Sequence, residues 1–152
     1  MRTITRVALF SLITTGCTEP GALRLVTSVD RTSLVASDSV HVSLQLVNHS
    51  WHPLTVLPAQ AYGICSHAFQ VFDNQGREVA VSTAFCVADL ALVGWPSIEL
   101  APGASISITD WWRPLTSTLN GQPLPSGQYQ LQGRVWGDDR TILSAPVGVF
   151  LE

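Results

Sequence analysis

The chain has 152 residues, 46% of them hydrophobic and 12% charged, with a formal net charge of −3. That length suits one domain around one core, and the charged share is about half that of ordinary soluble proteins, which leaves the surface to Ser, Thr, Gln and Asn. The acidic balance argues against nucleic acid and anionic lipid as partners.

Residues 1–16 read as a leader: Arg2 and Arg6 form a basic start, residues 7–13 an apolar stretch, and Thr14-Thr15-Gly16 a run of small residues before Cys17. This resembles a bacterial lipoprotein signal, in which a diacylglycerol is attached to the cysteine thiol, the chain is cleaved before that residue and the new amine is acylated. The resemblance implies lipidation at Cys17, a short tether over 17–21, and a location in the cell envelope, facing the extracytoplasmic side, with the membrane as partner through the lipid. An ordinary secretory cleavage near Gly16 or Thr18 is the alternative, with the same topology and no anchor. Each buried methylene contributes about 0.8 kcal/mol, so one acyl chain holds a protein reversibly and two or three hold it stably. The apolar stretch is too short for a membrane span, which needs about 20 residues. Without the leader the net charge is −5, from six arginines and eleven acids. Once Cys17 is acylated, Cys65 and Cys86 remain as an even pair in a compartment where disulfides persist. A bridge between them would stabilise by roughly 3 kcal/mol in the chain-entropy model; two buried free thiols are the alternative.

From residue 22 onward the patterning is that of β-structure. Residues 22–29 predict a first strand. Residues 39–48 alternate cleanly, with Val40, Val42, Leu44 and Leu46 on one face and His41, Ser43 and Gln45 on the other. Residues 54–57 follow Pro53, which favours an extended entry. Residues 67–72 and 77–81 flank Asp73-Asn74-Gln75-Gly76 and predict a hairpin. Residues 84–93 hold the one stretch with any helical potential. Residues 97–100 lead through a Pro102-Gly103 turn into 104–112, where Ile106 and Ile108 share a side. Residues 113–127, with three prolines and two glycines, predict a loop with a short hairpin near Asn120-Gly121. Residues 128–136 place Tyr129, Leu131, Gly133 and Val135 on one face. Gly137 to Arg140 turns into a last strand over 141–151 that Pro146 interrupts, the mark of an edge or a bulge.

Seven to nine short strands without a long helix predict an all-β fold, an antiparallel immunoglobulin-like β-sandwich over 22–152, with a small barrel as the alternative. Four phrases carry a family resemblance. Asn48-His49-Ser50 with Pro53-Leu54-Thr55-Val56 fits N-x-S-x-x-P-h-T-h, where h is hydrophobic. Phe69 to Val79 fits F-x-V-x-D-x-x-G-x-x-V, Leu100 to Gly103 with Trp111 or Trp112 fits L-x-P-G … W, and Gly121 to Leu131 fits G-x-P-x-P-x-G-x-Y-x-h. In this order they resemble the BsuPI-type intracellular proteinase inhibitor domain over about residues 40–135. The resemblance implies an immunoglobulin-like sandwich and a proteinase as target. The leader and the cysteine pair are departures from an intracellular family.

The four histidines, His41, His49, His52 and His67, sit in no nucleophile or metal motif, and no cysteine or histidine pair has short ligand spacing. The chain is therefore expected not to be an enzyme and calls for no cofactor or metal. Asp138-Asp139 reads as a solvated turn, with weak calcium contact the lesser alternative, and His49-Trp51-His52 as a loop with ligand contact the lesser alternative. Trp111 and Trp112 fall on opposite faces of one strand, so one enters the core. We assign Trp112, Arg113 and Trp136 as the candidate binding residues, with packing beneath the 113–127 loop as the alternative for the aromatics. The loops 113–127 and 82–96 are the expected recognition elements. Two functions follow: an envelope-anchored, non-catalytic protein-binding module, with proteinase inhibition as one form, or a structural or accessory lipoprotein that docks an envelope complex.

Overall fold

The computed structural model describes residues 22–57, 67–81, 97–137 and 140–152. The leader, Cys17, the tether, Cys65, Cys86, Trp95, the 84–93 stretch and the Asp138-Asp139 pair lie outside the described residues. In chain order the elements are β1 (Leu23–Val29), β2 (Ser33–Leu34), β3 (Val40–Asn48), β4 (Leu54–Leu57), β5 (Phe69–Asp73), β6 (Ile98–Leu100) and β7 (Ser105–Trp112). A 3-10 turn at Pro114–Thr116 follows, then β8 (Thr118–Leu119), β9 (Gln122–Pro123), β10 (Gly127–Gly137), β11 (Arg140–Leu143) and β12 (Val147–Leu151). Among the described residues the protein is thus all-β, in antiparallel and mixed sheets, with no α-helix.

The first sheet has the order β1-β3-β7, all antiparallel. Its inner face is the alternation read from the sequence: Val40, Val42, Leu44 and Leu46 are buried while Gln45 is exposed. The second sheet is built around β10, whose eleven residues exceed any one neighbour. Along one side β10 pairs with β5 and then β4, along the other with β12 and then β11. β4 pairs in turn with β6, and the two-residue β2 adds to β12 in parallel through Phe150↔Ser33 and Leu151↔Leu34.

The break at Pro146 is a bulge. The β12 register matches Leu131 with Val147, whereas the β11 register matches Arg134 with Leu143, so the returning chain carries one residue more than β10 between those pairs. The surplus deprives the Gly133 N–H of a ladder carbonyl. Ser144 replaces it: its Oγ accepts from Gly133 N at 2.9 Å and from Thr27 Oγ1 at 2.8 Å, and donates to the Ala145 carbonyl at 2.8 Å. A hydroxyl thus satisfies a buried amide and ties β1 of the first sheet to the second.

The two sheets share one core, with Leu23, Leu25, Leu44 and Ile108 from the first and Phe69, Val71, Leu131, Val135, Ile142 and Val149 from the second. They approach closely at Gly133 and Gly137 of β10. A Cβ on Gly133 would collide with Thr27 Oγ1 and Leu44 Cδ2, and one on Gly137 would lie 2.7 Å from Leu23 Cδ1.

Trp112 corrects one sequence assignment. It is fully buried at 0% exposure, pairs across the sheet with Val40, and packs in a tilted ring contact with Tyr129, 5.8 Å between centroids, so it cannot touch a partner. Its neighbour Trp111 is the exposed member of the pair, against His41. Strand parity decides this, because Trp112 shares the inner face with Ile106 and Ile108. Trp136 lies half-buried on the outer face of β10, level with Leu57 and Thr141, and is not brought together with Trp112 or Arg113.

Candidate binding loop

The 113–127 loop leaves the core at Trp112 and returns to it at Tyr129, and both aromatics hold it by hydrogen bonds. The Trp112 indole N–H donates to Ser117 Oγ at 3.2 Å, and that hydroxyl donates to the Arg113 carbonyl at 2.8 Å. Ser117 N donates to the Pro114 carbonyl, closing the 3-10 turn. At the other end the Tyr129 hydroxyl donates to the Pro125 carbonyl at 2.6 Å, a bond from a buried ring to backbone four residues upstream. Burial, with the Asp73 charge nearby, pushes the Tyr129 phenol above its ordinary value, which keeps it a donor. Between the anchors, Ala80 and Thr118 exchange backbone hydrogen bonds. Asn120 (φ 53°) and Gly121 (φ 77°) make the two-residue turn that joins β8 to β9, as the Asn-Gly pair predicts.

What this frame presents is apolar and cationic. Leu115, in the 3-10 turn, is 69% exposed, and Arg113 beside it is exposed. Of the residues assigned from the sequence, Arg113 is exposed on this loop; Leu115 is not among them, because an isolated Leu in a Pro-rich loop carries no pattern that separates a presented side chain from a buried one.

Near the same pole the neighbouring hairpin is locked by charge. Asp73 Oδ1 accepts from the backbone N–H of Gln75 and Arg77, and Oδ2 takes Arg77 Nε at 2.7 Å and Nη2 at 2.6 Å. Burial works to raise the Asp73 carboxyl, but the Arg77 amide and guanidinium and the Gln75 amide outweigh it and hold it below its ordinary value.

His67 and Asp110 form a second polar junction, with His67 Nδ1 3.0 Å from Asp110 Oδ2, which also accepts from Ala68 N at 3.1 Å. This joins β7 of the first sheet to the entry of β5 in the second. A histidine oriented by a carboxylate is half of a hydrolase triad. Among the described residues, the shallow groove of about 380 Å³ beside His67 is lined by Phe69, Gln70, Glu78, Val79, Ala80, Val81 and Arg134, which supply no hydroxyl or thiol. The His67–Asp110 pair ties the two sheets together. Burial raises the Asp110 carboxyl, yet His67 and the amides of Trp111 and Ala68 lower it further, and the net position is below the ordinary 3.8. A carboxyl lowered on folding contributes stability that is present above the unfolded value and lost as pH falls through the folded one. Asp110→Asn is therefore expected to cost roughly 2 kcal/mol at pH 7 and to make the acid limb of a stability–pH curve shallower, with Asp73 supplying the remainder. Urea unfolding between pH 7 and pH 3 checks this, and parallel curves for the two proteins would refute it.

A larger groove, about 720 Å³, runs between the open edge of β1 and the β11–β12 break. Its lining is mainly aliphatic, and its hydroxyl, Thr27, is committed to Ser144. Among the described residues no three His, Cys, Asp or Glu side chains group as a metal site, and no helix is long and apolar enough to cross a membrane.

No family model matches the chain, and no curated protein matches it. Solved structures with a similar course include the Pseudomonas fluorescens alkylpurine DNA glycosylase AlkC bound to abasic-site DNA, at 11% identity and a TM-score of 0.48 over 86% of this chain and 30% of that one. A β-glucosidase of Erythrobacter marinus is similar at 13% identity and a TM-score of 0.43, over 86% of this chain and 15% of the enzyme. The chain thus spans under a third of either protein. Likeness at this level transfers no activity.

Proposed function

We propose that the protein is a lipid-anchored, non-catalytic binding module of the bacterial envelope, an immunoglobulin-like sandwich whose 113–127 loop recognises a protein partner. The observation that carries this reading is the loop's attachment at both ends to buried aromatic side chains, while Leu115 and Arg113 stand in solvent. A loop already held in one shape loses little entropy on binding, so its exposed apolar side chain serves as an anchor at low cost. Two sheets over one core, with a Tyr129 hydroxyl bonded to upstream backbone and a buried Trp112 beside it, support the immunoglobulin-like assignment. The resemblance to the BsuPI-type domain favours a proteinase as the partner.

The test is titration of the mature protein against a panel of exported proteinases, with Leu115→Asp as the matched variant. The variant is expected to lose about thirtyfold in affinity, the scale of a hot-spot side chain, while its Tm changes little because Leu115 is 69% exposed. Equal affinity of the two proteins would exclude the loop. Inhibition absent at high micromolar concentration, with one stoichiometric protein recovered by cross-linking from membranes, would move the assignment to the accessory-lipoprotein alternative.

A further inference from the structure

Trp51 is 89% exposed, the most exposed large hydrophobic side chain among the described residues, yet the turn that carries it is rigid. Asn48, at 0% exposure, accepts from Ser50 N and Oγ at 2.8 and 2.7 Å and donates to the carbonyls of His52 at 2.9 Å and Leu100 at 2.8 Å. The next residue, His49, donates its backbone N–H to the carbonyl of Ala22 at 2.8 Å. Trp51 therefore projects from the end of the fold at which the chain enters β1, only five residues after Cys17. Five residues reach at most about 17 Å. Gly103 of the neighbouring Ala101-Pro102-Gly103 turn donates to the Asn48 carbonyl, so two turns without a charged residue share this end.

The opposite end is of another kind. Trp111, His41, Asp30, Asp38, Asp73 and the 113–127 loop gather there, and Trp111 lies level with His41, roughly 23 Å along β3 from Asn48 at about 3.3 Å per residue. Indole rings settle at the level of lipid headgroups, where one edge is apolar and the N–H is wet.

We propose that Trp51 is a second, shallow membrane contact, seated in the headgroup layer beside the lipid on Cys17 and holding the domain upright with its 113–127 loop facing away from the bilayer. The proposal rests on the lipidated-Cys17 reading. One indole is too weak to bind a membrane unaided, but the acyl tether makes its insertion intramolecular and raises its effective concentration. The contact does not need anionic lipid, since Glu99 stands with Arg24 and Arg140 near this end.

The experiment uses mature protein extracted from membranes, its acyl mass at Cys17 measured first, reconstituted into phosphatidylcholine vesicles with brominated chains that quench tryptophan emission. Trp51→Phe is expected to lower the quenched emission about twofold, whereas Trp111→Phe, at the far end, retains it. Equal quenching in Trp51→Phe and the parent protein overturns the contact and leaves the anchor standing. A Cys17 without acyl mass overturns the anchor and the orientation together.

Discussion

Asn48→Ala is expected to remove about 3 kcal/mol of folding stability, which for a domain of this size lowers Tm by roughly 10 °C. The substitution leaves little cavity; its cost is polar. The Asn48 side chain donates to the carbonyls of Leu100, which is buried, and His52, and accepts from the buried Ser50 through its N–H and its hydroxyl, whose proton lies between Asn48 Oδ1 and the His52 carbonyl. Alanine leaves the Leu100 carbonyl without that donor and Ser50 N without its acceptor, while Ser50 Oγ keeps its bond to the His52 carbonyl. Orphaned buried groups cost about 1–3 kcal/mol each. Asn48→Asp separates geometry from chemistry, because it preserves shape but turns a carboxylate oxygen toward two carbonyl oxygens. It is expected to be at least as damaging at neutral pH. Thermal unfolding followed by tryptophan emission measures both, and an Asn48→Ala protein within 1 °C of the parent would contradict the assignment of this residue as the hub of two turns.

Gly133→Ala is expected to be comparably severe, at about 3 kcal/mol, the upper end of the range for overpacking. The added methyl falls on Thr27 Oγ1 and on Leu44 Cδ2, 2.5 Å away, and Leu25 Cδ2 closes the third side at 3.3 Å. Thr27 cannot rotate aside without releasing Ser144, and Ser144 holds the bulge in which the Gly133 amide is satisfied. Steric and polar losses are therefore coupled. Removing the hydroxyl in a Gly133→Ala/Thr27→Ala protein is expected to recover part of the stability, so that the double variant is more stable than the two single losses predict. Additive losses in urea unfolding would show that the sheets can part at this point without disturbing the bulge.

Much of this architecture was legible wherever one local rule governed. The period-two pattern of residues 39–48 and 128–136 marked both inner faces because a strand with one wet face must alternate. Asn120-Gly121 marked its turn because both positions need positive φ, and Pro146 marked the bulge. Trp112 was also within reach, since its parity with Ile106 and Ile108 points inward; assigning it to the surface set aside a signal already in the strand. Other features have no local signature. β2 is two residues long and exists through parallel pairing with β12, more than a hundred positions away. His67 and Asp110 meet across 43 residues. Asn48 was visible as a turn residue, but its reach to Leu100 depends on the adjacency of β4 and β6. Leu115 and Trp51 are distinguished by exposure, a property of the folded chain that composition does not encode.

The most direct test of the whole account is the intact mass and N-terminal peptide of the protein recovered from membranes of cells expressing the full 152-residue chain. The predicted result is a mature polypeptide that begins at Cys17 and carries a diacylglycerol thioether and an amide-linked acyl chain. A polypeptide that retains Met1 to Gly16, unmodified at Cys17 and recovered from the cytosol, would contradict it.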